Sequence, residues 1–462
     1  MKEADSDPTA DYLARFIEGA KREHGLTIDE IGLWNETHMP YDFVGKLRRA
    51  LDARRLTTAI VADDSVNDWS IARAVASDPE LKKNVSIVAT HYPQLKTTAE
   101  ARQVGKSIWS SEDGPWTDAW GSAGDQAGSY AEVLNQNYVR GRMTATLLWC
   151  AVSSYYDILD LPNAGLLRAE TPWSGHYQVM SPLWIVAHTT QFAWPGWRYL
   201  DGASGLLPDG GSYVTLTDGK DFSLIAESIS AMHPVQLQIA LDRRFTRRPL
   251  WLWRTARNRY FERLGAVHPV NGRASFVVEP DAVYSLTTTT SQHKGTASPG
   301  LDKAFPFPYR DDFEEYRIGV TTPSFFIEQN GSYEVAPCKG GRAGQCLRQV
   351  VDTLPIVWDS GKPADVLGTA SIIGDKRWNN YQVESDFYLE EPGYARVMGR
   401  VSRATLDGAI LGYQLYLHST GKWELRTSTK GGRTGIGQLR FAAEHLASCR
   451  ARVSWQPHHR PS

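Results

Sequence analysis

Between about Ala10 and Val179 short apolar runs alternate with longer amphipathic stretches, and each run ends in a polar or aromatic cluster. This pattern constrains the fold more than any other feature of the chain, because it is the signature of βα units laid around a parallel sheet. The predicted strands are Asp29–Trp34, Thr58–Ala62, Val85–Thr90, Lys106–Ser110 and Gly165–Ala169. They run into Asn35-Glu36, Asp63-Asp64, His91-Tyr92, Ser111-Glu112 and Trp173-Ser174-Gly175-His176. Helices are predicted before the first strand, from Tyr12 with Leu13, Phe16, Ile17 and Ala20 on one face, then at Tyr41–Arg55, Ile71–Asp78 and Ala99–Val104. A long helix is predicted at Tyr130–Tyr156, and its apolar face would claim Trp149. In a (β/α)8 TIM barrel the strand ends all open onto one face, so the five clusters would share one mouth. Only five of the eight strands a closed barrel needs are legible, and the expectation is a barrel without its first three.

Residues 1–182 are therefore expected to form a partial TIM-barrel catalytic domain. Beyond Pro182 the period shortens to alternating runs broken by Gly and Asp, which predicts a β-sandwich over 183–290. Residues 291–308, rich in Ser, Gly, Lys and Pro, read as a linker. A second all-β block follows over 309–462, with strands at Ala370–Ile373, Tyr381–Leu389, Ala395–Val401 and Tyr413–His418. The stretch from Ser448 loses the alternation and reads as a disordered tail, leaving this block incomplete at its C-terminal side.

Charge removes several function classes. Fifty Lys and Arg against 52 Asp and Glu leave a formal charge of −2, with no footprint for nucleic acid or an anionic membrane. No apolar stretch approaches the roughly 20 residues of a membrane span, and the acidic start of the chain carries no signal peptide. Four cysteines do not make a disulfide scaffold; Cys338 and Cys346 are near enough in sequence for a local bridge or for two free thiols. The 16 Trp and 20 Tyr suit a sugar-binding surface, although most are expected in the core.

Glu36 and Glu112 carry the chemistry. They lie 76 residues apart, on the first and fourth legible strands, the fourth and seventh of a full barrel. Retaining glycoside hydrolysis needs two such carboxyls roughly 5 to 5.5 Å apart. Trp34 and Asn35 give Glu36 an apolar wall suited to an acid/base, and the hydroxyls of Ser110 and Ser111 suit Glu112 as an ionised nucleophile. Asn35 is a candidate sugar contact, His91-Tyr92 would place a donor beside the nucleophile, and Trp173 and Trp149 are candidate sugar platforms. A single Glu at a strand end is usually a surface ion pair, and it is the spacing of two that favours catalysis. No metal-ligand spacing is present, and no cofactor is needed for the chemistry.

Ile31-Gly32-Leu33-Trp34-Asn35-Glu36, Ile108-Trp109-Ser110-Ser111-Glu112-Asp113, Leu134-Asn135-Gln136-Asn137-Tyr138 and Pro172-Trp173-Ser174-Gly175-His176-Tyr177 together resemble the galactosylceramidases, family 59 of the glycoside hydrolases. The resemblance continues at Ala187–Phe192, Arg310–Phe313, Leu347–Val350 and Ser371–Asp375. It implies a barrel, a β-sandwich and a lectin-like domain of the concanavalin or laminin-G type. It also implies retaining removal of β-linked galactose from galactosylceramide or related glycosphingolipids. By motif, Glu36 becomes the acid/base, Glu112 the nucleophile, Asn35 a sugar contact and Trp149 an active-site wall. A structural calcium near Asp312, a lipid-presenting activator and a secreted or lysosome-like location belong to the same implication. The chain departs from vertebrate members in having no Cys between Trp116 and Tyr130, and neither Cys nor Arg in Ala231–Gln236. The readings left beside it are a retaining β-glycosidase for another sugar and an incomplete, non-catalytic carbohydrate-binding product.

Overall fold

The computed structural model describes residues 6–121, 127–154, 158, 164–169, 171–319, 323–351, 369–375, 377–404, 410–427, 433–438 and 448–455. These fall into two compact units. One is drawn from Met1–Val152, Asn163–Leu167 and Val179–Ala297, the other from Ser153–Pro162, Arg168–Gln178 and Ser298–Ser462.

In the first unit, strands β1 (Glu30–Ile31), β2 (Ala59–Ala62), β3 (Ile87–His91), β4 (Ser107–Asp113) and β5 (Ala145–Leu148) form one parallel sheet in chain order. Helices α1 (Asp7–His24), α2 (Asp42–Ala53), α3 (Ser70–Ser77), α4 (Pro79–Asn84), α5 (Ala99–Gln103) and α6 (Ser129–Val139) are interleaved with them. Strands taken in sequence order with helical crossovers are the construction of a (β/α) barrel. Local chemistry fixes the helix ends. The Ser6 hydroxyl caps the Thr9 amide of α1, Gly25 closes it at φ 68°, and Asp78 caps the Glu80 and Leu81 amides of α4. Phe43, Val44, Leu47 and Leu51 of α2 turn one face into a core shared with Ile60, Ala62, Val88 and Ile108 of the strands. All five residues of β3 are buried, as expected of a strand covered on both faces.

Two sequence expectations fail here, for one reason. The long helix predicted at Tyr130–Tyr156 ends at Val139, and the fifth parallel strand is Ala145–Leu148. Residues 155 and 156 lie outside the described residues. The predicted fifth strand instead contributes Leu167–Ala169 to a separate three-stranded sheet with Val152–Ser154 and Gln178–Val179. A short apolar run such as Thr144–Leu148 has no period that separates strand from helix, and the pairing of Trp109 and Ser110 with Ala145 and Thr146 decides it.

The same unit holds a β-sandwich. Its larger sheet joins, in order, Gly205–Leu206, Ser212–Thr217, Phe222–Glu227, Ala282–Thr287, Leu250–Ala256 and Arg259–Val267, with Arg198–Tyr199 paired to Ser212–Thr217. The hairpin of Val235–Ala240 and Arg273–Val278 supplies Ala274, Phe276 and Val278 to a core with Leu224, Tyr284 and Leu286. Helix α7 (Ser181–Thr190) packs on this sheet. His188 of α7 is fully buried, its Nδ1 2.8 Å from Ser285 Oγ and its Nε2 2.9 Å from Thr255 Oγ1. Burial drives its pKa down to about 3, so the ring is neutral.

The second unit is all β among its described elements. A hairpin of Tyr333–Pro337 and Gln345–Gln349 is closed by a Cys338–Cys346 disulfide, with Cα atoms 5.1 Å apart. Tyr394–Ala404, Ile410–His418, Lys422–Thr427 and Arg433–Gln438 form a four-stranded sheet. The tail expectation is corrected, because Ser448–Trp455 pairs antiparallel along Tyr381–Tyr388. Backbone groups make that ladder, so the loss of side-chain alternation did not forbid it. Residues 456–462 lie outside the described residues. Asp312 is exposed, and its Oδ1 accepts from the Glu314 amide at 3.4 Å. Asp312 belongs to no group of three His, Cys, Asp or Glu ligand atoms among the described residues.

Candidate active site

The site is built at the C-terminal ends of β1 to β5. After β1 the chain turns sharply: Leu33 is buried, the Trp34 ring packs 4.7 Å from Phe43, and Trp34 and Glu36 take φ values of 55° and 52°. Non-glycine residues in this region cost about 1 to 3 kcal/mol each. They are held by the Glu36 amide, which donates to the Asp64 carbonyl at 3.0 Å. Gly32 lets the Asp64 carboxylate come close, since a Cβ there would stand 2.6 Å from Asp64 Oδ2.

β3 delivers His91 and Tyr92. His91 is 3% exposed; its amide donates to the Ser65 carbonyl at 3.0 Å and its carbonyl accepts from the Asn67 amide at 2.8 Å. Tyr92, at φ 46°, donates its amide to the Glu112 carbonyl at 2.9 Å and its hydroxyl to Glu112 Oε1. Burial and the adjacent Glu112 carboxylate both raise the Tyr92 pKa, which keeps the phenol a donor. β4 delivers Glu112 and Asp113. Asp113 accepts from the Ser110 hydroxyl at 2.8 Å and from Asn137 Nδ2 at 3.2 Å. Burial lifts its carboxyl above the ordinary range, and those two hydrogen bonds pull it back.

One oxygen from each of Glu36 and Glu112 and a ring nitrogen of His91 all lie within 4.8 Å of one another. His91 Nδ1 is 3.5 Å from Glu36 Oε1 and 3.7 Å from Glu112 Oε2, and His91 Nε2 is 3.8 Å from Asp64 Oδ1. Behind it, burial raises the Asp64 carboxyl while His91 opposes the shift. Both glutamate side chains keep part of their surface open, at 25% and 19% exposure. This is also the only group among the described residues with three such ligand atoms close enough to hold a metal ion.

The structure thus brings together Glu36, His91, Tyr92, Glu112 and Trp149, with Asn35 exposed on the turn beside Glu36. Trp149 follows β5 and donates its amide to the Asp113 carbonyl at 2.8 Å, which replaces the helical, core placement expected from its apolar neighbours. Trp173 belongs to the second unit, where its ring meets Phe305, Phe325 and Trp378. It does not follow a strand of the parallel sheet, as the sequence reading required. Sequence reasoning gave no role to Asp113, Asn137 or Trp116 and left Asp64 as one of several strand-end acids. Trp116 stands 5.7 Å from Tyr92 and 5.4 Å from Trp149, ring centre to ring centre. A Trp four residues beyond the nucleophile candidate, in Gly114-Pro115-Trp116, was the available signal.

Residues 2–191 match glycosyl hydrolase family 59, and residues 328–434 match the family described as galactocerebrosidase, C-terminal lectin domain. Galactocerebrosidase of Danio rerio is 38% identical over 96% of this chain and 69% of its own length. The Mus musculus galactocerebrosidase is 37% identical over 92% of the chain, and the Homo sapiens galactocerebrosidase 37% identical over 86%. The chain spans 65% of the mouse protein's length and 60% of the human protein's. Among solved structures it is similar to the catalytic domain of GH30 xylanase C from Talaromyces cellulolyticus. That match has 16% identity and a TM-score of 0.49, and covers 62% of this chain and 67% of that one.

Proposed function

The chain belongs to glycosyl hydrolase family 59, and from that membership we propose that it removes β-linked galactose from galactosylceramide or a related glycosphingolipid, with retention, by double displacement. The observation that carries the mechanism is the approach of the Glu36 and Glu112 carboxylates to within 4.8 Å. Retaining pairs stand roughly 5 to 5.5 Å apart, whereas inverting pairs leave roughly 6.5 to 9.5 Å for a water.

In the first step a Glu112 oxygen attacks the anomeric carbon while Glu36 gives its proton to the glycosidic oxygen. The C–O bond to the aglycone breaks and a glycosyl ester forms on Glu112. In the second step Glu36 takes a proton from water, the water oxygen attacks the same carbon, and Glu112 leaves as carboxylate. The Tyr92 hydroxyl, donating to Glu112 Oε1, favours the ionised nucleophile before attack and again after release. His91, buried beside both carboxylates, positions them by packing against both. Asn35 and Trp149 are positioned to line the bound sugar.

The test is an aryl β-galactoside followed by NMR. Wild type should release the β-anomer first, and Glu112→Gln should lose more than about a thousand-fold in kcat, the usual scale for removing a nucleophile. First release of the α-anomer, or wild-type turnover by Glu112→Gln, would refute the assignment.

A further inference from the structure

We propose that Trp116 is a specificity-determining residue that, with Trp149, forms a stacking platform for the C–H face of the galactose ring. This rests on the glycosidase reading of Glu36 and Glu112 and names the side chain that would choose the sugar.

Three observations place Trp116 there. The ring lies between two neighbours already at the site: Tyr92, whose hydroxyl is bonded to Glu112, and Trp149, whose amide is tied to Asp113. Its planes are tilted 50° to Tyr92 and 37° to Trp149, so the three rings make a continuous curved wall on the nucleophile's side of the site. The nucleophile attacks the glycone's anomeric carbon, so groups on its side border the glycone and not the leaving group. Second, the turn is shaped for the ring. A Cβ at Gly114 would stand 2.8 Å from the Trp149 carbonyl oxygen and 3.2 Å from Trp116 Cζ2, so glycine lets Trp116 fold back toward Trp149. Pro115 is buried, and its carbonyl accepts from the Gly165 amide at 2.9 Å, which anchors the turn. Third, Trp116 and Trp149 are only half-buried, unlike a core aromatic such as Tyr130 at 2%. Half-buried indoles beside two carboxylates are what a sugar ring stacks on.

The sugar chemistry makes the platform selective. In β-galactose the 4-hydroxyl is axial, so the hydrogens on C3, C4 and C5 form one unbroken apolar patch on a single face. In glucose the equatorial 4-hydroxyl leaves that patch interrupted. An indole face therefore discriminates between them by contact area.

The experiment measures Trp116→Ala, Trp116→Phe and Gly114→Ala on aryl β-galactoside and aryl β-glucoside with the same leaving group. Trp116→Ala should raise KM for the galactoside by roughly ten-fold with kcat within about three-fold, the scale of one lost stacking contact. The glucoside parameters should move by less than about three-fold. Trp116→Phe should fall between, and Gly114→Ala should follow Trp116→Ala in direction. The pH profile of kcat/KM should not move. Equal losses on both glycosides, a displaced pH limb marking a role through Tyr92 alone, or no change at all would each overturn the proposal. If wild type turns over no aryl glycoside, the glycosidase reading fails separately. Trp116 is then judged by tryptophan-fluorescence titration with a galactose-configured iminosugar. Weaker binding by Trp116→Ala upholds the platform, and unaltered or absent binding by wild type removes it.

Discussion

Two histidines of the first unit are almost equally buried and serve opposite ends. His188, between α7 and the sandwich, has both ring nitrogens matched to hydroxyls of Ser285 and Thr255. His91, at the end of β3, has an Nδ1 with no hydrogen-bond partner among the described residues and faces Glu36 and Glu112 just beyond hydrogen-bonding reach. Buried polar groups are normally satisfied, because an unsatisfied one costs about 1 to 3 kcal/mol. The sandwich obeys that rule at His188, where polar contacts serve stability. At the strand ends of the parallel sheet two carboxylates face an imidazole whose Nδ1 has no hydrogen-bond partner among the described residues. A buried polar network that closes on itself reads as structure, and one left open toward a cleft reads as function.

Truncating His188 should produce the largest effect on folding. His188→Ala removes one hydrogen-bond partner from each of two buried hydroxyls and leaves a cavity, which predicts a loss of about 4 kcal/mol in a denaturant titration. Activity per folded molecule should be unchanged; a loss of turnover at full folding would break the comparison. His91→Asn should show the reverse, a drop of about 100-fold in kcat/KM with a small change in the unfolding midpoint. A variant that unfolds before it loses turnover would place His91 with His188.

The smallest expected effect lies between the two regions in character. Glu227 is fully buried in the sandwich, accepting from the Ser212 hydroxyl and, at 3.2 Å, from the Ile229 amide. Burial raises its pKa from 4.5 to about 7. The folded carboxyl keeps its proton to higher pH than the unfolded one, so its contribution is full below the unfolded pKa and is lost as pH rises through about 7. Between pH 5 and pH 7 this amounts to about 2 kcal/mol of stability, lost on the alkaline side. Glu227→Gln should flatten that slope in thermal melts at the two pH values, and an equally steep slope in the variant would assign it to other groups.

Much of the parallel sheet was legible because its strands are apolar runs that end in chemistry. The 76-residue separation of Glu36 and Glu112 placed them three βα units apart, and β1 and β4 carry them. The fifth strand was not legible, because Ala145–Leu148 follows helix α6 with only five residues between them and shares its apolar character. That single misreading moved Trp149 into a helix and assigned to the parallel sheet the strand before Trp173, which pairs elsewhere. Trp116, Asp113 and Asn137 escaped because each meets a partner from a separate element: Tyr92 at the end of β3 faces Trp116, while Asn137 of α6 joins Asp113 of β4 to Thr146 of β5.

The sequence by itself determined which residues could do the chemistry, since the carboxylates, the strand-end rule and the period of the βα units are all properties of local order. Only the tertiary structure decided which of them meet. The 4.8 Å approach of the carboxylates, the burial of His91 beside them and the wall of Tyr92, Trp116 and Trp149 are contacts between separate strand ends. Such contacts depend on strand order and register, which hydrogen bonds between backbones set and side-chain pattern only suggests.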